Sequence, residues 1–302
     1  MNVENRSRGL DYQPCRYGSS RMPFRGPARR IKGDYVTFLG GAETFGRFIP
    51  TPYPDLVEKL SGLTAINLGC LSTGIDAYIS SPGLIDICSM AKVTVIQIVG
   101  AVNMSNRFYT VDPRHNDHFL RASKRFKEVY PEVDFKEYDL TTHMLSDLAR
   151  IGPDRLHLIR QELQGAWVAR MRGLLQQIHG KKVLLWMSDH APYSTSTGGT
   201  ICRDPLFVDR AMLDAARADA DALVEIVAEP GEIEAGRAQL VHSPTDHAAA
   251  LDMLGPLVHQ RAAQHLDDTI AELLQLRKAP VETPAQLEID SAEDPIENLF
   301  AI

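Results

Sequence analysis

Four short apolar runs, each ending in glycine or a small polar cluster, constrain this chain most. They are Asp34–Gly40 (DYVTFLG), Ala65–Leu68 (AINL), Lys92–Val99 (KVTVIQIV) and Val183–Met187 (VLLWM). Leu223–Val227 reads as a fifth. Each is rich in β-branched or aromatic residues and too short for a helix. Runs apolar at successive positions suit strands covered on both faces. Helical patterns separate them. Pro54–Leu60 opens with Pro and Asp in its first turn. Ala77–Met90 is broken near Pro82-Gly83. Arg155–His179 repeats Leu156, Ile159, Leu163, Trp167, Met171, Leu174, Leu175 and Ile178 at helical spacing, with Gly180 as its cap. Asp209–Asp221 and Asp246–Leu276 follow, the latter interrupted near Gly255-Pro256. Strand and helix in alternation predict an α/β fold of three layers, α/β/α, around a mostly parallel sheet.

Three segments lie outside that pattern. Residues 1–33 form a basic N-terminal arm, with Arg6, Arg8, Arg16, Arg21, Arg25, Arg29, Arg30 and Lys32 opposed only by Glu4 and Asp11. Such an arm lies on the surface or on a partner subunit, or meets an anionic partner. Residues 108–160 are polar and read as a helical insertion or lid, with helices near 115–127 and 141–150. Residues 277–302 form an acidic tail. The α/β domain itself occupies 34–276. Basic front and acidic end could pair within or between subunits, so a homodimer stays open beside a monomer.

Charge and cysteine content exclude several classes. The 302 residues carry 32 Lys+Arg and 39 Asp+Glu, a formal net charge of −7. That composition excludes a disordered chain and a collagen-like one, and argues against a dedicated nucleic-acid binder. Cys15, Cys70, Cys88 and Cys202 show no CxxC spacing, so no zinc or iron–sulfur site is expected. No apolar run approaches the roughly 18 residues of a membrane span, and no signal-like h-region opens the chain. A cytoplasmic protein without a membrane partner is the expectation.

In a doubly wound sheet, ligands sit beyond the carboxyl ends of the strands. Those ends read GAETFG, NLGCLSTG, GAVNMSNR and SDHAP. Glu43 there is a general base or binding carboxylate, or a helix-capping one. Thr44 is a nucleophile only with an adjacent base, and otherwise a capping hydroxyl. Gly40, Gly41 and Gly46 permit a tight turn whose N–H groups could cradle an anion. The turn is neither a Walker loop nor a G-x-G-x-x-G fingerprint. Cys70 is a small buried cysteine or a thiolate paired with His190 or His247. Asn103 and Asn106 could donate to an oxyanion, and Arg107 could clamp an anionic group. Of the neighbours Asp189 and His190, one is expected to line the cleft. Asp246 is a helix cap or the partner of His247. His115, His118 and His143 fall in the insertion. A metal assembled from His190, His247 and carboxylates has no local ligand spacing behind it, so neither metal nor cofactor is expected.

The order of these blocks resembles the SGNH/GDSL hydrolase family. That family reads roughly G-D-S-x-T-x-G after its first strand, where this chain has Gly40-Gly41-Ala42-Glu43-Thr44-Phe45-Gly46. Its second block is matched by Asn67-Leu68-Gly69. Its third, G-x-N-D, is loosely matched by Gly100–Asn103, or by Asn106. Its last, D-x-x-H before the final helix, is matched in place but not in spacing by Asp246-His247. The resemblance implies an SGNH/flavodoxin-like sheet. It also implies hydrolysis or acyl transfer on a small anionic ester or acyl substrate. Ala42 stands where that family has serine, so the usual nucleophile is missing. His247 would then activate water, Glu43 would assist, Asn103 or Asn106 would hold the oxyanion and Arg107 the substrate. A non-catalytic ligand-binding or scaffold protein is the alternative, and a sulfo- or phospho-group transferase is a third. The segments FLGGAETFG, NLGC and QIVGAVNMSNRFYTV also resemble the DUF6473 proteins almost word for word, a likeness that implies little about function.

Overall fold

The computed structural model describes residues 9–193 and 204–276. In chain order the first half runs β1 (Tyr35–Gly40), α1 (Ala42–Phe45), α2 (Tyr53–Ser61), β2 (Thr64–Gly69), α3 (Ile75–Ile79), α4 (Pro82–Met90), β3 (Val93–Gln97), β4 (Tyr109–Val111), β5 (Phe119–Ala122) and α5 (Lys124–Val129). The second half runs α6 (Thr141–Ile151), α7 (Pro153–Gln177), β6 (Lys181–Ser188), α8 (Arg210–Arg217), β7 (Ala222–Val227), α9 (Pro230–Arg237), α10 (His247–Leu251) and α11 (Pro256–Leu273).

The five long strands pair in parallel in the order β2-β1-β3-β6-β7. Period-two alternation divides their side chains between two cores. Val36 and Phe38, Val93 and Val95, and Val183, Leu185 and Met187 pack with Tyr53, Val57 and the inner face of α11. Tyr35 and Leu39, Ile96, and Leu184 and Trp186 face the other way, onto α4, α7 and α8. Both faces are therefore covered, which is why these strands read as continuous apolar runs. The polar exceptions are matched: Thr37 and Thr94 hydrogen-bond across β1 and β3 at 2.9 Å. The expected three-layer α/β/α class is the observed one.

This strand order has a switch point. The chain leaves β1 toward β2 on one side, and leaves β2 for β3 on the other. The carboxyl ends of β1 and β3 thus flank a crevice where connections diverge, the usual ligand position of such sheets. Glu43 follows β1 and Gln97 ends β3.

The insertion departs from the expected helices. A helix over 115–127 is replaced by the antiparallel hairpin β4–β5, and helix begins only at Lys124. Tyr109, Phe119, Phe126 and Phe135 pack together there, and two of these aromatics are best presented by paired strands. Ser123 then caps α5 by accepting from the Phe126 N–H at 3.2 Å. The expected helix over 141–150 is α6, and the interruption at Gly255-Pro256 separates α10 from α11. The arm, from residue 9 on, lies on its own domain: Tyr17, Met22 and Phe24 are buried in the larger core. Arg6, Arg8, Cys202 and the acidic tail fall outside the described residues. Among those described, no helix is long and apolar enough to cross a membrane.

Candidate functional site

The turn after β1 is held by side chains from other elements. Gln97 Oε1 accepts from Gly41 N (3.1 Å), Thr44 N (3.1 Å) and Thr44 Oγ1 (2.6 Å). It thereby caps the amino end of α1, a role usually taken by a residue at the helix start itself. The Tyr53 hydroxyl lies 2.7 Å from Thr44 Oγ1 and completes its bonding. Only glycine fits at 40: a Cβ there would meet Thr44 Oγ1 at 2.1 Å and Gln97 Cβ at 2.7 Å. The anion cradle expected from Gly41 and Thr44 is therefore filled from within, by an amide oxygen.

Glu43 is buried, and its carboxylate closes a long-range tie. Oε1 accepts from Leu254 N at 2.9 Å and Oε2 from His259 Nε2 at 3.0 Å. His259 has no exposed surface, and its Nδ1 accepts from Tyr53 N at 3.2 Å. A backbone N–H can only donate, so Nδ1 carries the lone pair and Nε2 the proton. The imidazole that Glu43 engages is thus His259.

At the end of β6, Ser188 Oγ lies 2.8 Å from His190 Nδ1 and donates to the Asp204 carbonyl at 2.7 Å. The His190 ring stacks on Trp186 at 5.6 Å, with Tyr193 edge-on at 4.7 Å. Asp189 Oδ1 is 4.0 Å from His190 Nδ1. Asp204 is reached by solvent, with its Oδ1 taking the Leu206 N–H at 3.2 Å beside the Gly100 backbone. The surrounding protein desolvates its carboxyl and raises its pKa, and the charges of Glu43 and Asp252 raise it further. Solvent-reached yet enclosed, Asp204 lies beside Gly100 after β3 and Ser188 at the end of β6, within reach of the charges of Glu43 and Asp252.

The remaining candidates lie elsewhere or are otherwise engaged. Asn103 Oδ1 accepts from Thr141 Oγ1 at 2.8 Å. Asn106 bends its own loop, accepting from Phe108 N and Tyr109 N and donating to Met104 O. Arg107 is 73% exposed and pairs with Glu162 of α7 at 2.7 Å. Burial raises the Cys70 thiol, against a thiolate at neutral pH. Asp246 meets Arg47 at 3.4 Å and Ser243 at 2.6 Å, while exposed His247 lies against His242 at 5.4 Å. His115 neighbours His118, and His143 lies beside Asp147. Among the described residues, no group of three or more His, Cys, Asp or Glu could hold a metal.

Reading from sequence passed over Gln97, His259, Asp204 and Asp252. His259 carried one signal, since it shares the core face of its helix with Val258, Ala262, Ala263 and Leu266. Asp246-His247, expected just before the final helix, instead opens α10, and the four residues directly before α11 are Asp252-Met253-Leu254-Gly255. Gly255 abuts Gly236 of α9, and a Cβ on it would stand 2.4 Å from the Gly236 Cα. No side chain fits there.

The sequence matches the model of DUF6473, a domain of unknown function, over residues 1–274. The chain belongs to this family. No curated protein matches it. Several solved structures resemble it distantly, two of which follow. One is a candidate lipolytic protein of the G-D-S-L family from Desulfitobacterium hafniense DCB-2, with 10% identity and TM-score 0.39, over 78% of this chain and 99% of that one. The other is a candidate GDSL-like lipase from Bacteroides ovatus ATCC 8483, with 14% identity and TM-score 0.35, over 83% of this chain and 57% of that one. Those likenesses carry no chemistry to this DUF6473 chain.

Proposed function

We propose that this DUF6473 protein binds a small molecule in the switch-point crevice and does not perform serine-hydrolase chemistry. The observation that carries the reading is the turn after β1: Ala42 offers no nucleophile there, and the neighbouring Glu43 gives both carboxylate oxygens to Leu254 N and His259 Nε2. Glu43, Thr44 and Gln97 spend their bonds inside the protein. The negative field that Glu43 and Asp252 add at solvent-reached Asp204 supports an uncharged or cationic ligand over an anionic one.

One observation favours a second reading, hydrolysis without a serine nucleophile. Ser188 donates to the Asp204 carbonyl and so accepts from His190 Nδ1, which holds the imidazole beside Asp204. In this reading Asp204, solvent-reached and with its pKa raised, is the base for water, and His190 positions it through Ser188. The test is a thermal-shift screen of cationic, neutral and anionic small molecules, run with a panel of p-nitrophenyl, thio- and sulfate esters. The binding reading expects stabilisation from the first two sets and no ester turnover above the blank. Turnover that disappears in a stably folded His190→Ala variant would replace it with the second reading.

A further inference from the structure

Four residues of helix close too few internal hydrogen bonds to fix their own position. α1 is accordingly held from outside. Gln97 of β3 binds its amino end, and Asn67 Nδ2 of β2 donates to Thr44 O at 2.7 Å. Glu43 ties it to Leu254 and α11. The fourth anchor comes from the arginine-rich N-terminal segment. Arg25 Nη1 donates to Gly46 O at 2.6 Å and Phe45 O at 3.4 Å, and Nη2 to Pro50 O at 2.9 Å. A guanidinium at a helix carboxyl end satisfies carbonyls that lack intrahelical partners and sits favourably in the helix dipole. Tyr12 braces the same corner. Its ring lies 5.3 Å under the Arg25 guanidinium and 5.0 Å from the Phe45 ring, and its hydroxyl accepts from Phe48 N at 2.8 Å.

We propose that residues 9–32 are a strap controlling the crevice. The grip of Arg25 on the carboxyl end of α1 sets Glu43, and Glu43 sets the Asp252–Leu254 loop and the start of α11. A ligand consequence rests on the binding reading above; the mechanical coupling does not. A parallel route exists, because Arg29 pairs with Glu58 of α2 at 3.1 Å and α2 reaches His259 through Tyr53 N. The two routes are separable, since Arg25 alone of the two arginines bonds to α1 carbonyls.

The experiment is amide hydrogen exchange on the full-length protein, read by NMR at Leu254, in α1 and in α7, for Arg25→Met, Arg25→Lys and Arg29→Met. The strap predicts that Arg25→Met speeds exchange at Leu254 about tenfold while α7 amides stay within about twofold. Arg25→Lys, keeping a charge but not the fork, gives an intermediate effect of about threefold. Arg29→Met leaves Leu254 unchanged. If Arg25→Met does not fold, Arg25→Lys decides. An unmoved Leu254 in the Arg25 variants, equal acceleration everywhere, or an equal effect of Arg29→Met would each overturn the proposal. A protein that binds nothing in the screen yet shows the Leu254 response loses the binding reading and keeps the strap.

Discussion

Glu43 carries a charge that a buried site must satisfy completely, and both of its oxygens accept N–H groups. Glu43→Gln leaves one acceptor and brings an NH2 toward the His259 Nε2–H. The ring cannot change tautomer to rescue it, because Nδ1 is committed to Tyr53 N. The substitution is expected to cost about 2–4 kcal/mol in urea unfolding. A loss under about 0.5 kcal/mol would mean the tie does not form. Asp204 makes the opposite prediction. Its carboxyl pKa is raised in the folded protein, so folding favours the protonated form. The associated stability is full below the unfolded value of about 3.9 and is lost as pH rises through the raised value. Asp204→Asn keeps an oxygen for Leu206 N and removes the charge. Above pH 7 the variant should melt at or above the wild-type temperature, and the decline from about pH 4 upward should flatten. Superimposable melting curves across that range would refute the raised pKa. Neither pairing was visible in the sequence: Glu43 and His259 are 216 positions apart, and only the fold brings them together. Asn106 was more legible than its reading allowed. A loop asparagine with N–H groups two and three residues ahead commonly bonds to its own backbone.

Among elements, legibility followed burial. β1, β3 and β6 were readable because both of their faces are covered, so the hydrophobic signal is uninterrupted. The β4–β5 hairpin was not, because its strands have three and four residues and in β5 two successive exposed residues, Leu120 and Arg121, follow buried Phe119 and break the alternation. α9 was missed although Pro230 and the Glu229–Glu232 capping box mark its start. α9 matters to the site through its contact with the turn before α11. A methyl group on Gly255 would meet the Gly236 backbone, which cannot rotate aside as a side chain would. Gly255→Ala is therefore expected to cost about 1–3 kcal/mol by forcing α9 and α11 apart. The denaturation midpoint measures this directly. An unchanged midpoint would show that the helices separate freely.

At the scale of the whole molecule, the question is whether this scaffold lacks only a serine. The mostly parallel three-layer sheet was implied by the sequence pattern, the strand order and its switch point came only with the fold, and the residues beside them argue that more than one part is missing. Ala42 is partly exposed at the start of α1, so Ala42→Ser is expected to change stability by less than about 0.5 kcal/mol. The new hydroxyl would stand at the crevice without a base. Gly255 admits no imidazole, both ring nitrogens of His259 are bonded within the core, and His190 is held against Ser188 on the far side of β3. An unactivated serine hydroxyl is a poor nucleophile at neutral pH. Ala42→Ser should therefore hydrolyse p-nitrophenyl acetate and butyrate within about twofold of the wild-type blank, and should not be labelled by a fluorophosphonate. A gain of about a hundredfold or more, the scale of a working general base, would show that serine alone restores the machinery, and that the chain is a hydrolase one substitution from activity.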